Sequence, residues 1–262
     1  MIKKVATILL ILTMVFTFTG CDVSNIFSYW DGMTKDQTIK YVQDTLQEKY
    51  GEEFSVRELA IRSGSSWDAN PILLADCSPV SDENIVFEIE VYVRGKDEDR
   101  IRRMYDNYIQ NVVRKQLKQT IDEVLAENYE NFVSQVFVTP LNYWYDSGLC
   151  SANNATIKNF SESFTDNDDN YTLVYIAIKN SEYDFNKIKN VLQKMSNSFY
   201  SLNVSIDCYY TDEHTIEQCK ETIDKSYREI GITDILRTGN FEMDDFVFFN
   251  DDRGLVYIPK DD

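Results

Sequence analysis

The sequence predicts an α+β fold in which mixed or antiparallel sheets pack with helices. Apolar residues recur with helical spacing in some segments and with strand spacing in others, and several strand-like runs follow one another without a helix between them. Hydrophobic residues make up 43% of the composition, which is enough to form a core. With 262 residues, the chain has room for one domain or two small ones.

The first half of the chain is predicted to open with a helix. Thr34 and Gln37 form a capping-box pattern, and Gly51 stands where the helix would end. Its apolar face consists of Ile39, Val42, Leu46 and Tyr50. Strand-like or apolar runs follow at 54–61, 72–77 and 85–93. The last run alternates glutamate with apolar residues, which is typical of a strand with one side in water.

A long helix is predicted next, because the acidic residues 97–99 suit a helix start and apolar spacing continues to about Asn128. A strand at 132–138 ends before Pro140, and the Asn-, Ser- and Asp-rich stretch 141–170 reads as a loop and domain boundary. The remaining predicted elements are a strand at 172–178, a helix at 185–202, a strand at 204–210, a helix at 215–230 and a β pair at 246–249 and 255–258.

The helix-then-strand units at 39–58 and 188–209 are loosely alike. This likeness suggests two similar α+β halves, an N-terminal one at 34–140 and a C-terminal one at 171–262. No residue motif repeats between them, so the prediction depends on the order of elements alone.

The net charge argues against nucleic acid as a partner, and the glycine positions exclude the common glycine-rich phosphate-binding loops. The chain has 26 Lys and Arg against 44 Asp and Glu, a net charge of −18, and nucleic acid needs a basic surface. After Gly20 no two glycines lie closer than eight positions, so neither common glycine-rich phosphate-binding loop can be present.

The first 20 residues have the layout of a secretory signal peptide. Two lysines are followed by the apolar run 5–18, which is too short for an ordinary membrane-spanning helix, and then by the small pair Thr19-Gly20. Cys21 comes directly after this pair. The arrangement resembles the lipobox of bacterial lipoproteins. An uncleaved N-terminal anchor is the alternative interpretation.

The resemblance implies that residues 1–20 are removed and that Cys21 carries a diacylglycerol. Residues 21–33 would then form a tether, and the mature chain would carry 24 basic against 44 acidic residues. Asp22 after the cysteine suits retention at the outer face of the cytoplasmic membrane. The segment 41–54 (YVQDTLQEKYGEEF) also resembles one in uncharacterised Gram-positive-type exported lipoproteins, which implies no activity.

Catalytic and metal-binding patterns are weak in this sequence. One histidine, His214, stands among acidic residues five positions before Cys219, a spacing that does not place the two on one helical face. Outside the cytoplasm the four remaining cysteines could form two disulfides in three connectivities, or remain buried thiols. They are Cys77, Cys150, Cys208 and Cys219. We expect no catalytic residue, metal or cofactor.

Two stretches are candidate binding sites. Tyr143, Trp144, Tyr145 and Asp146 place three aromatic rings beside a carboxylate, a combination that can stack on sugars or hold side chains of a partner. The alternative is that some of these rings turn inward and close the core.

The second candidate is the basic stretch 94–118, with eight basic residues against four acidic ones. On the predicted long helix it would present Arg102, Arg103, Arg114 and Lys115 to an anionic lipid or wall polymer. The alternative is an ordinary solvated face. Residues 119–262, with 11 basic against 26 acidic residues, would then point away from the membrane.

Together these patterns predict a membrane-anchored extracytoplasmic lipoprotein of binding or interaction type. Its expected partners are the membrane, through the lipid anchor, and envelope proteins or wall polymer. The alternatives are a solute-binding component of a transporter and an envelope hydrolase.

Overall fold

The computed structural model describes residues 28–63, 70–95, 100–138, 154–163, 171–200, 202–225, 232, 235–236, 242–248 and 255–258. These residues form two β-sheets packed with helices, which confirms the predicted α+β class. In chain order the elements are α1 (Lys35–Tyr50), β1 (Phe54–Arg62), β2 (Ile72–Pro79), β3 (Phe87–Arg94), β4 (Ile101–Asp106), α2 (Tyr108–Ala126), β5 (Phe132–Val138), α3 (Ile157–Glu162), β6 (Tyr171–Lys179), a 3-10 turn (Asn180–Glu182), α4 (Phe185–Ser196), β7 (Asn203–Thr211), α5 (Glu213–Lys225), β8 (Glu242–Phe248) and β9 (Leu255–Ile258).

Helix α1 begins and ends as the sequence predicts. The Thr34 side chain accepts a hydrogen bond from the backbone of Gln37 at 3.3 Å, and the Gln37 side chain accepts one from the backbone of Thr34 at 2.8 Å. These bonds satisfy two backbone donors that a helix start leaves free. Gly51 closes the helix with φ 76°, a left-handed conformation that glycine adopts at little cost.

Strands β1–β4 form sheet A, which is antiparallel throughout and follows chain order. The alternation predicted for β3 is confirmed. Phe87, Ile89 and Val91 are buried in the core with residues of α1 and α2, while Glu88 and Glu90 lie on the other face.

The prediction of a long helix from residue 97 is wrong at its N-terminal end. Residues 101–106 form β4, which pairs with β3 from Ile101 opposite Arg94 to Asp106 opposite Ile89, and the helix begins only at Tyr108. The apolar residues Ile101, Met104 and Tyr105 have helical spacing, but β3 offers an edge whose backbone groups need partners, and pairing with that edge makes the segment a strand.

Strands β5–β9 form sheet B, a mixed sheet in chain order. Only β6 and β7 pair in parallel among the described strands, and α4 connects them as a crossover helix. Helix α4 ends at Ser196, earlier than predicted, whereas the predicted pair of β8 and β9 is confirmed. The two sheets therefore differ in topology, and the likeness of the two halves does not extend to their strand pairing.

One hydrophobic core joins the two sheets. Helix α2 packs against β3 of sheet A and β5 of sheet B, and its Leu117 and Ile121 are fully buried. Helix α4 contributes Leu192 and Met195 to the same core. A smaller cluster on the far face of sheet B includes Ile216 and Cys219 of α5.

The buried carboxylate of Asp106 ties α1 to the start of α2. It accepts hydrogen bonds from the Tyr50 hydroxyl at 2.5 Å, the Lys49 ammonium at 2.8 Å and the backbone N–H of Tyr108 at 3.1 Å. A buried carboxylate with this many donors stabilises the junction, because removing it would leave polar groups unpaired.

The predicted tether 21–33 is too long at its C-terminal end. Trp30 is only 1% exposed, and its indole N–H donates to the carbonyl of Pro71 at 3.0 Å. The Tyr29 hydroxyl reaches the carbonyl of Leu59 at 3.2 Å. Residues 28–33 therefore belong to the folded domain, because the Trp30 indole is part of the same hydrophobic core as the buried side chains of α1 and α2.

Three of the four remaining cysteines are described, and Cys77, Cys208 and Cys219 are buried free thiols. This excludes a disulfide among them; Cys150 lies outside the described residues. Burial raises the pKa of Cys77, and it raises the pKa of Cys219 to about 11.

The raised pKa of Cys219 leads to a labelling prediction. A thiol with this pKa is neutral below it, so only about 0.1% is thiolate at pH 8, and the thiolate is the reactive form. Iodoacetamide at pH 8 should leave Cys219 and Cys77 unmodified in the native protein and modify both in urea, as measured by peptide mass spectrometry. Native labelling at the rate of a free cysteine would contradict the burial of these thiols.

Within the described part of the chain, no helix has the length and apolar character needed to cross a membrane.

Candidate functional site

The outer face of sheet A, opposite α1 and α2, contains a groove with a volume of about 310 Å³. We call it the acidic groove. Its lining includes Glu58, Ala60 and Arg62 of β1, Leu74 and Asp76 of β2, and Glu88 and Glu90 of β3. Since side chains alternate along a strand, these residues share the face that the core does not use.

An irregularity in β1 places Glu58 on this face. Val56 pairs with Cys77 of β2, but Glu58 pairs with Asp76, so the register shifts between Val56 and Glu58. Strict alternation would direct Glu58 to the same side as Val56, which packs against the core. The extra residue, Arg57, reverses the alternation and turns Glu58 outward.

Three carboxylates then stand directly opposite one another across the sheet. Glu58 is the partner of Asp76, and Asp76 is the partner of Glu88. This arrangement concentrates negative charge on the outer face, and each of the three carboxylates also has an interaction partner. Asp76, in the middle, is only 5% exposed, whereas Glu58 is exposed at the edge.

Glu90 and Arg62 line one side of the groove, and Tyr92 contacts Glu90 from outside the lining. The Arg62 guanidinium pairs with Glu90 at 3.2 Å, and the Tyr92 hydroxyl donates to the other carboxylate oxygen. Partial burial and this hydrogen bond to Glu90 raise the pKa of Tyr92. The Tyr105 ring on β4 packs edge-on against Tyr92 at 5.8 Å.

The groove therefore combines four carboxylates and one guanidinium with a small apolar floor. An excess of negative charge in a concave surface concentrates cations. Lysine, arginine or amine groups are the ligands that this arrangement would attract.

The predicted basic surface is not formed on one helix, because Arg102 and Arg103 lie on β4 while Arg114 and Lys115 lie on α2. The Arg102 guanidinium pairs with Asp31 at 2.5 Å and lies over the Tyr41 ring at 5.4 Å. Arg102 therefore helps to hold the N-terminal segment in place.

The other predicted basic residues have separate surroundings. Arg103 is exposed on the outer face of sheet A, opposite Tyr92. Lys115 forms an ion pair with Asp82, and this pairing holds the pKa of Asp82 below its usual value. Arg114 also has an interaction partner. At least three of the four basic residues, Arg102, Arg114 and Lys115, thus have interaction partners.

The other residues that the sequence singled out either lie outside the described residues or are not brought together by the fold. Cys21 and the aromatic group Tyr143, Trp144, Tyr145 and Asp146 lie outside the described residues. His214 is exposed on α5 and contacts Gln218 at 3.2 Å, whereas Cys219 is fully buried, so the two do not form a catalytic pair.

The protein has the same overall fold as one structure already solved. The structure is similar to the crystal structure of a DUF5037 family protein from Ruminococcus gnavus, with a TM-score of 0.57 and 17% sequence identity, covering 83% of this chain and 94% of that one. No protein-family model matches the chain, and no curated protein matches it. At this identity the likeness concerns the fold alone.

Sequence reasoning missed the acidic groove. The alternation of Glu88 and Glu90 with apolar residues correctly indicated that they face away from the core, although Glu90 is only 8% exposed on that side. Nothing in the local pattern indicated that Glu58 and Asp76, 30 and 12 residues before Glu88, would be aligned with it. That alignment depends on strand order and on the irregularity in β1.

Proposed function

We propose that this protein is a membrane-anchored extracytoplasmic lipoprotein that acts by binding a partner at the outer face of the cytoplasmic membrane. The signal-peptide pattern of residues 1–20 and the cysteine at position 21 support the anchor. With Trp30 buried in the domain, the proposed tether shortens to residues 21–27, which would span at most about 23 Å if fully extended. The domain would stay close to the lipid surface.

The row of carboxylates in the acidic groove is the observation that supports binding as the mode of action. Glu58, Asp76 and Glu88 lie opposite one another and concentrate negative charge on this face, which would attract a cationic partner. The groove crosses strands β1, β2 and β3, and its exposed side is formed by Glu58, Ala60 and Arg62, where a basic segment would bind. A lysine- or arginine-rich segment of an envelope protein fits this shape and charge, whereas nucleic acid and anionic polymers would be repelled.

A basic peptide of defined length tests this proposal. Acetylated, amidated hexalysine should bind the full chain in a non-ionic detergent at low salt, as measured by isothermal titration calorimetry. The double variant Glu58→Gln and Glu88→Gln should bind it about tenfold more weakly, because two of the attracting charges are lost. Asp76 is left in place because it is buried.

The matched control removes the same charge elsewhere. Glu48 and Glu127 are exposed and do not line the groove, so Glu48→Gln with Glu127→Gln changes the net charge equally. We expect less than about a twofold effect from this pair. If both double variants weaken hexalysine binding to the same extent, overall charge explains the binding and the groove does not.

A further inference from the structure

A second feature lies on sheet B, where three tyrosine hydroxyls converge on one carboxylate. Asp244 of β8 accepts a hydrogen bond from Tyr210 of β7 at 2.9 Å. The hydroxyl of Tyr183, just before α4, lies 3.4 Å from the same oxygen, and that of Tyr257 on β9 lies 3.3 Å from the other oxygen. We call this group the tyrosine cluster.

The rings of the tyrosine cluster form an aromatic surface that is partly open to solvent. Tyr183 packs edge-on against Tyr210 at 4.2 Å, and Phe185 packs edge-on against Tyr257 at 4.9 Å. Tyr210 is buried, whereas Tyr183 is 42% exposed and Tyr257 is 36% exposed. An incoming ligand could therefore contact aromatic rings and Asp244 together.

The Asp244 carboxylate gives the tyrosine cluster a negative charge, and no basic side chain among the described residues lies beside it. No described lysine or arginine lies within 4.0 Å of Asp244. The pKa of Tyr210 is strongly raised, mainly because the phenol is buried and also because it donates a hydrogen bond to Asp244. The phenol therefore remains a neutral donor. Asp184 caps α4 nearby and offsets the positive end of the helix dipole.

We propose that the tyrosine cluster binds an organic ammonium cation. Aromatic rings attract ammonium groups through their negative faces, and a nearby carboxylate adds direct charge attraction. One carboxylate offers too few oxygens for a calcium ion, which takes six to eight. The site lies on sheet B and depends neither on the acidic groove nor on the lipid anchor.

Choline and its uncharged isostere 3,3-dimethyl-1-butanol test the proposal, since they share shape and differ in charge. Calorimetry on the full chain in a non-ionic detergent should give a choline dissociation constant on the order of 1 mM, with at least about tenfold weaker binding of the isostere. Asp244→Asn should weaken choline binding about tenfold. Tyr183→Ala, at an exposed position, should weaken it several-fold.

Tyr200→Ala is the matched control, because Tyr200 is 51% exposed in the turn after α4 and is not part of the cluster. It should leave choline binding unchanged. Equal affinity for choline and the isostere, no binding of choline up to about 50 mM, or equal loss in the Tyr200 and Tyr183 variants would each overturn the proposal. Circular dichroism of each variant verifies folding, and hexalysine binding should remain intact in the Tyr183 variant.

Discussion

Replacing Trp30 with alanine should lower the free energy of unfolding by about 3–5 kcal/mol, the range for a large aromatic side chain removed from a core. Trp30 is 1% exposed, donates a hydrogen bond to Pro71 and lies 6.1 Å from the Tyr41 ring. The Arg102 guanidinium lies over the same indole at 5.9 Å. Urea denaturation followed by circular dichroism measures the loss.

Val80→Ala is the control, because Val80 is 54% exposed and its truncation should cost less than about 0.5 kcal/mol. If residues 21–33 were a tether throughout, Trp30→Ala would cost as little as Val80→Ala. Equal midpoints of the two variants would therefore contradict the folding of residues 28–33 onto the domain.

Cys21→Ala should abolish incorporation of a labelled fatty acid and release the protein from the membrane fraction. The expected loss of labelling is complete, because lipid attachment needs the thiol of Cys21. Metabolic labelling with an alkyne fatty acid, followed by membrane fractionation, measures both effects.

Ser24→Ala, three residues further along the tether, is the control and should leave labelling unchanged. Labelling that persists in the Cys21→Ala variant would contradict the lipobox interpretation. Lost labelling with unchanged membrane association would instead indicate that the signal segment remains attached as an anchor.

The elements predicted correctly are those whose signals are local. The capping box at Thr34 and the glycine at 51 determine helix α1 through bonds within a few residues. The alternation in β3 predicts its buried and wet faces, because period two is a property of a strand itself.

The main error in secondary structure has a physical cause. The apolar residues of the segment 101–106 have helical spacing and acidic residues before them suit a helix start, so the local pattern favours a helix over a strand. The unpaired edge of β3 decides between the two, because pairing with it satisfies the backbone of both strands. A neighbouring strand is not visible in a local window of sequence.

The two candidate sites depend on contacts between distant residues. Glu58, Asp76 and Glu88 become a row only after three strands pair in a register set by the irregularity at Arg57. The tyrosine cluster joins residues 183, 210, 244 and 257 from four segments. Neither site has a sequence motif, since no two of these residues are close neighbours along the chain.

The sequence by itself determined the α+β class, the positions of most elements, the acidic character and the predicted anchor at Cys21, because composition, periodicity and a targeting pattern are local properties. The tertiary structure alone decided that Trp30 belongs to the core, that Arg102 pairs with Asp31, and which carboxylates face each other. These outcomes depend on strand order, register and the packing of α2 between the two sheets, which are set by contacts distant in sequence.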